Sequence, residues 1–168
     1  MNWPSPETTP TAVFDTSPLV FLDVLAYADL LPELFEVVIP PQVNAELRKK
    51  EGEVGSRVPD RSWVSVRSPK AEVLGRTARE LGAGAGENAA ISLAQELEAT
   101  VVLDDLKARR YARSKDLEVV GTLGILVLIH RLGRATRTPE AEFDLLEAHG
   151  MWLSTQVKAG ALQALRAQ

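Results

Sequence analysis

Apolar residues along this chain fall into two recurring patterns. Short, mostly β-branched runs stop abruptly at polar or Pro/Gly positions, and longer stretches repeat apolar residues three or four apart. Ala12-Val13-Phe14 ends at Asp15, Val37-Val38-Ile39 at Pro40-Pro41, and Val101-Val102-Leu103 at Asp104-Asp105. Leu117-Glu118-Val119-Val120 is turned by Gly121, and Trp63-Val64-Ser65-Val66 alternates as an edge strand would. These runs read as strands. Between them, helical spacing predicts a helix capped by Ser17 with Pro18 at its first position, then one from Gln42 to Lys50 with Val43 and Leu47 inward. Further helices are expected over Ala71 to Leu81 and Glu87 to Glu98, and after Asp105. Others follow over Leu123 to Leu132, from Thr138-Pro139 to Ala148, and at the C-terminus. Strands alternating with helices imply a parallel sheet with right-handed crossovers and helices on both faces.

In that arrangement the carboxyl ends of the strands share one edge, and ligands bind at such edges. Asp15 and the pair Asp104 and Asp105 stand there, each just before a helix. Glu87 lies in the first turn of a helix entered through Gly82-Ala83-Gly84-Ala85-Gly86, and Glu46 lies a turn or so inside another. Each acid has an ordinary alternative role. An Asp caps a helix, a first-turn Glu complements the dipole, and Glu46 could form a surface ion pair with Lys49 or Lys50. Asp15 is the least well explained as a cap, because Ser17 suits that job better. The glycine run lacks the lysine and hydroxyl that would complete a phosphate loop, and reads instead as letting the backbone approach another element closely while placing Glu87 in the first turn.

Composition narrows the chemistry. The chain has 168 residues, enough for one domain with a full core, and no cysteine. Thiol nucleophiles and thiolate metal sites are therefore excluded. His130 and His149 are the only imidazoles and have no catalytic company in the sequence, so a cation would be held by oxygen, which suits Mg²⁺ or Mn²⁺. Converging carboxylates without a cation would repel one another strongly. Metal-assisted phosphodiester hydrolysis fits such a set. A net charge of -4 gives no global pull on nucleic acid, but basic runs occur at Arg48-Lys49-Lys50 and from Lys107 through Arg109, Arg110 and Arg113 to Lys115. Residues 1–10 hold three prolines and no Lys or Arg and read as a loose extension ahead of a single domain over 11–168. No signal peptide is expected there and no apolar run suits a membrane span, so a cytoplasmic protein is the default expectation.

Four segments in order carry a family resemblance. They are Phe14-Asp15-Thr16-Ser17-Pro18-Leu19, Ile39-Pro40-Pro41-Gln42-Val43-Asn44-Ala45-Glu46, Gly86-Glu87-Asn88-Ala89-Ala90-Ile91, and Leu103-Asp104-Asp105 with Lys107-Ala108-Arg109. Together they resemble a PIN-domain protein, most closely the stand-alone prokaryotic PIN proteins related to VapC-type toxins, over roughly Ala12 to Ser154. The resemblance implies a three-layer α/β/α sandwich with a central parallel sheet and a Mg²⁺- or Mn²⁺-dependent ribonuclease site. It assigns Asp15, Glu46, Glu87 and one or both of Asp104 and Asp105 as metal-binding acids. Ser17, Lys107, Arg109 and Arg110 become candidates for the RNA backbone. It also implies a homodimer and a cognate antitoxin protein as partner, with Leu123 to Leu132 and the tail as surfaces for association. Leu103 departs from the Ser or Thr that PIN nucleases often carry before the final acids, and Glu87 stands where Asp is common. The double Asp leaves the fourth ligand open, with Asp104 favoured at the break from apolar to acidic. The alternative reading is a non-catalytic PIN-like module that binds RNA or protein. A phosphotransfer fold would want a second Asp where Ser17 stands.

Overall fold

The computed structural model describes residues 9–166. Its strands are β1 (Thr11–Phe14), β2 (Glu36–Ile39), β3 (Val64–Val66), β4 (Thr100–Val102) and β5 (Val119–Val120). All pair in parallel, in the order β3-β2-β1-β4-β5. The chain therefore winds outward from β1 to β3, returns to the other side of β1, and continues to β5. The direction of winding reverses between β1 and β4, and the crevice at the carboxyl ends of that pair is where open α/β sheets hold ligands. Phe14 pairs with Val102, and the Asp15 N–H extends the ladder to the Val102 carbonyl at 3.0 Å. Asp15 and Asp104 thus leave adjacent strands one residue apart in register.

Eight helices surround the sheet among the described residues: α1 (Thr16–Val24), α2 (Pro41–Lys49), α3 (Ala71–Leu81), α4 (Ala85–Leu97), α5 (Leu106–Ser114), α6 (Thr122–Arg131), α7 (Pro139–Ala148) and α8 (Thr155–Arg166). Strand periodicity sorts the core into two halves. Ala12, Phe14, Val37, Ile39, Val102 and Val120 pack with Leu19 and Leu22 of α1, Ile125 and Ile129 of α6, and Phe143 of α7. Val13, Val38, Val101, Leu103 and Val119 pack instead with Ala90, Ile91 and Ala94 of α4 and Ala108 and Ala112 of α5. The result is a three-layer α/β/α sandwich. β2 and β4 are buried on both faces, which explains their unbroken apolar runs.

Several expectations need correction. Ser17 does not cap α1: the helix starts at Thr16, and Asp15 takes the N-cap place with φ -81° and ψ 170°, without a capping hydrogen bond from its side chain. The ladder bond to Val102 carries strand geometry up to Asp15, leaving no room for a linker before the helix. Pro18 falls inside the first turn, where its missing N–H costs nothing. The apolar helix α6 does serve the core, in keeping with its sequence: Ile125, Leu126 and Ile129 are buried, and Arg131 at its end donates to the Ala164 carbonyl of α8 at 2.8 Å. His130 of the same helix is partly buried. Its Nε2 lies 2.8 Å from Glu142 Oε2, and Tyr27 donates its hydroxyl to Oε1 of the same fully buried glutamate at 2.7 Å. No helix among the described residues is long and apolar enough to cross a membrane. The expected extension over residues 1–10 lies almost wholly outside the described residues.

Candidate metal centre

Asp15 is the centre of the site. The strand-to-helix junction leaves its carboxyl at the switch point, 6% exposed. Burial is the main cause that raises its pKa from 3.8 to about 7; the Thr16 backbone amide opposes it, and Glu87, Glu46 and Asp104 each add like-charge repulsion. Those three acids are thus brought within electrostatic reach of Asp15 from three other segments of the chain.

Each of the three is held by a specific donor. Asp104 accepts the Thr122 N–H at Oδ1 (2.8 Å) and the Thr122 hydroxyl at Oδ2 (2.6 Å). The N-cap of α6 is Gly121, which has no side chain, so Asp104 supplies the missing acceptor from a neighbouring loop. Burial nevertheless raises the Asp104 pKa, against the pull of Thr122 and Arg109. Glu46 reaches out of α2 between α1 and α4. Its Oε1 accepts the Gly86 N–H at 2.9 Å and its Oε2 accepts the Thr16 hydroxyl. Gly86 leaves this space open: a Cβ there would lie 2.6 Å from Glu46 Oε2, so the carboxylate would have to shift to admit one. The surface ion pair with Lys49 or Lys50 does not form. Glu87 folds back to accept the Gly84 N–H at 2.8 Å through Oε2. That bond ties down the exposed start of α4 and leaves Oε1 uncommitted.

The double Asp is divided by this geometry. Asp105 is exposed, and its Oδ1 accepts the Ala108 N–H at 2.8 Å as the N-cap of α5. It is not among the groups that chiefly shift the Asp15 pKa. The structure therefore brings Asp15, Glu46, Glu87 and Asp104 toward one another and keeps Asp105 outside as a cap.

Carboxylates without nitrogen or sulfur are the donor type that suits a hard divalent ion such as Mg²⁺ or Mn²⁺. The present arrangement is not a closed cage: among the described residues no three acidic or histidine side chains converge as a metal-holding group. Thr122, Thr16 and Gly86 hold the oxygens of Asp104 and Glu46, and these bonds would have to loosen or be shared on binding.

The sequence model of the DUF3368 family, described as a PIN domain, matches residues 11–167. The chain belongs to the PIN-domain family. No curated protein matches it. A PIN domain has a nuclease-type fold, and PIN nucleases generally use divalent metals.

Around the PIN-domain acids, Ser17, Lys107 and Arg110 are exposed, whereas Arg109 is half-buried between α5 and the start of α6. Arg48 is engaged elsewhere, in an ion pair with Asp60, and Lys115 pairs with Glu80. Sequence reasoning missed Thr16, Gly121 and Thr122. One signal was present for the last two. Gly121-Thr122 follows a strand at the same sheet edge as the acids, where a glycine leaves space and a hydroxyl can grip a carboxylate.

Proposed function

We propose that this PIN domain is a Mg²⁺- or Mn²⁺-dependent endoribonuclease that hydrolyses phosphodiester bonds in single-stranded RNA. The observation that supports the reading is the electrostatic set at the switch point: Asp15, buried and protonated up to about pH 7, with Glu46, Glu87 and Asp104 raising its pKa. A divalent cation held there would supply water activation and offset charge on the attacked phosphate. Asp15 and Glu87 would hold it first, since Glu87 Oε1 is uncommitted, with Asp104 and Glu46 completing the set. Asp15 must give up its proton to do so, which makes it the acid whose state gates the site. Thr122 and Gly86 keep Asp104 and Glu46 aimed inward when no cation balances them. Lys107 and Arg110, exposed on α5, would draw the RNA backbone toward the acids and away from the negative remainder of the surface.

The cellular setting we propose is a toxin held by a small antitoxin protein, following the VapC-like resemblance, and self-association as a homodimer. Leu132, Trp152 and Val157 are large apolar side chains left exposed and would serve such contacts. A second reading is a non-catalytic module that binds RNA or protein. It is favoured by Asp104 and Glu46, each of which already has both oxygens bonded to protein donors.

Cleavage assays decide between the readings. Purified protein is incubated with structured and unstructured RNA in Mg²⁺, Mn²⁺ or chelator. Internal cleavage of the unstructured RNA in metal, lost in chelator and in Asp15→Asn, supports the nuclease. Cleavage that survives both removes the metal mechanism, and binding without cleavage leaves the inert module.

A further inference from the structure

We propose that Arg109 grips a non-bridging oxygen of the substrate phosphodiester beside the acids, and that Gly121 is the residue that makes room for it. The proposal rests on the nuclease reading above and adds a named phosphate ligand with its supporting glycine.

Space is the first argument. Arg109 closes the first turn of α5, and its guanidinium lies against Gly121 at the entry to α6. A Cβ on Gly121 would overlap Arg109 Nη1 and would also stand 3.0 Å from Asp104 Oδ1 and 3.3 Å from the Leu103 carbonyl. The backbone at Gly121 is extended, φ -116° and ψ 175°, so any residue could adopt it. Glycine there leaves the side-chain space to the guanidinium and the carboxylate, and a Cβ would force the guanidinium to shift.

The second argument is an unfilled fork. A guanidinium carries five N–H donors. Those of Arg109 meet no protein acceptor among the described residues, and none of its nitrogens is among the buried unpartnered atoms, so they stand open to solvent and to an incoming oxygen. Asp104 is the acceptor at hand, yet both its oxygens are filled by Thr122. Burial and the nearby Arg113 both work against the Arg109 charge, and Asp104 supports it only through space. Such a site selects an added anion with paired oxygens, and a phosphodiester matches the fork. The exposed Lys107 and Arg110 can attract a polyanion, whereas the Arg109 guanidinium lies beside Gly121 and Asp104 at the acid site itself.

Salt-dependent binding tests this without requiring catalysis. A fluorescein-labelled oligouridylate is titrated in chelator over a range of salt with wild type, Arg109→Gln, Arg109→Lys and Gly121→Ala. Losing one phosphate contact to a single strand lowers the slope of log K against log salt by about 0.7. We expect that loss in Arg109→Gln and also in Gly121→Ala, which keeps the charge but displaces it. Arg109→Lys should keep the slope while losing affinity, because a point charge replaces the fork. If Arg109→Gln does not fold, Gly121→Ala and Arg109→Lys still decide. Wild-type slopes in Arg109→Gln or Gly121→Ala overturn the assignment and leave RNA binding intact. No binding by wild type overturns the assignment and the RNA reading together.

Discussion

Thr122 holds both carboxylate oxygens of Asp104, one through its backbone N–H at 2.8 Å and one through its hydroxyl at 2.6 Å. A single residue thereby starts α6, fills the capping role that Gly121 lacks, and fixes an acid of the candidate metal set. Thr122 is itself fully buried, while its bonds to Asp104 are part-buried. Thr122→Val should destabilise the metal-free protein by about 1 kcal/mol, the net loss of one hydrogen bond to a part-buried carboxylate. Urea unfolding at neutral pH measures it, and an unchanged midpoint would mean that Asp104 has another donor.

Asp15 gives a pH dependence of defined sign. The unfolded chain releases this proton near 3.8, whereas the folded protein keeps it up to about 7. Between those values the folded state binds more protons, so the Asp15 contribution to stability falls as pH rises. Asp15→Asn removes that loss while keeping an acceptor for the Thr16 amide. In chelator its stability should match wild type below about pH 4 and exceed it increasingly toward pH 7, by at most roughly 4 kcal/mol at 1.36 kcal/mol per pH unit. Chemical denaturation at a series of pH values tests it. A constant difference across that range would show that Asp15 titrates normally.

Gly86 and Glu46 should fail together. A methyl group at Gly86 collides with the Glu46 carboxylate, which then loses its backbone donor. Gly86→Ala is expected to cost about 1–3 kcal/mol as local overpacking. It should also weaken Mn²⁺ binding, because Glu46 is turned out of the acid set. Melting curves with and without Mn²⁺ report both effects, and a stable variant with wild-type metal response would remove Glu46 from the site.

Away from the site, Tyr27 links α7 to the segment before it. Its hydroxyl donates to Glu142 Oε1 at 2.7 Å and accepts the Thr136 N–H at 2.8 Å. Tyr27→Phe strips a partner from both groups, and Glu142 is fully buried. A loss of about 1–3 kcal/mol is expected in urea unfolding, with RNA cleavage unaffected under conditions where the variant remains folded.

The sheet was legible because its central strands are buried on both faces and announce themselves as apolar runs. Helix starts were legible where chemistry marks them: Thr138-Pro139 opens α7 as read, and its hydroxyl accepts the Ala141 N–H. Ser17-Pro18 carried the same signal but was overridden, since the ladder bond from Asp15 to Val102 sets the helix start. At the site, residue type and strand-end position mark Asp15 and the pair Asp104 and Asp105. Glu46 was not legible from its own helix, where lysines offer the commoner partner, because Gly86 and Thr16 approach it only in three dimensions. The choice between Asp104 and Asp105 needed Thr122 and Ala108, which bind one each. His130 and Glu142, 12 residues apart across a turn, hid a buried network that helical periodicity alone does not mark.

Titration of Mn²⁺ into wild type, Asp15→Asn and Asp105→Asn, followed by calorimetry above pH 7, tests the central claim most directly. Asp15, Glu46, Glu87 and Asp104 as the metal set, with Asp105 a helix cap, predict that wild type and Asp105→Asn bind alike. Asp15→Asn should bind at least about tenfold more weakly, a difference of 1.4 kcal/mol or more. No Mn²⁺ binding by wild type, or equal binding by Asp15→Asn, would contradict the account.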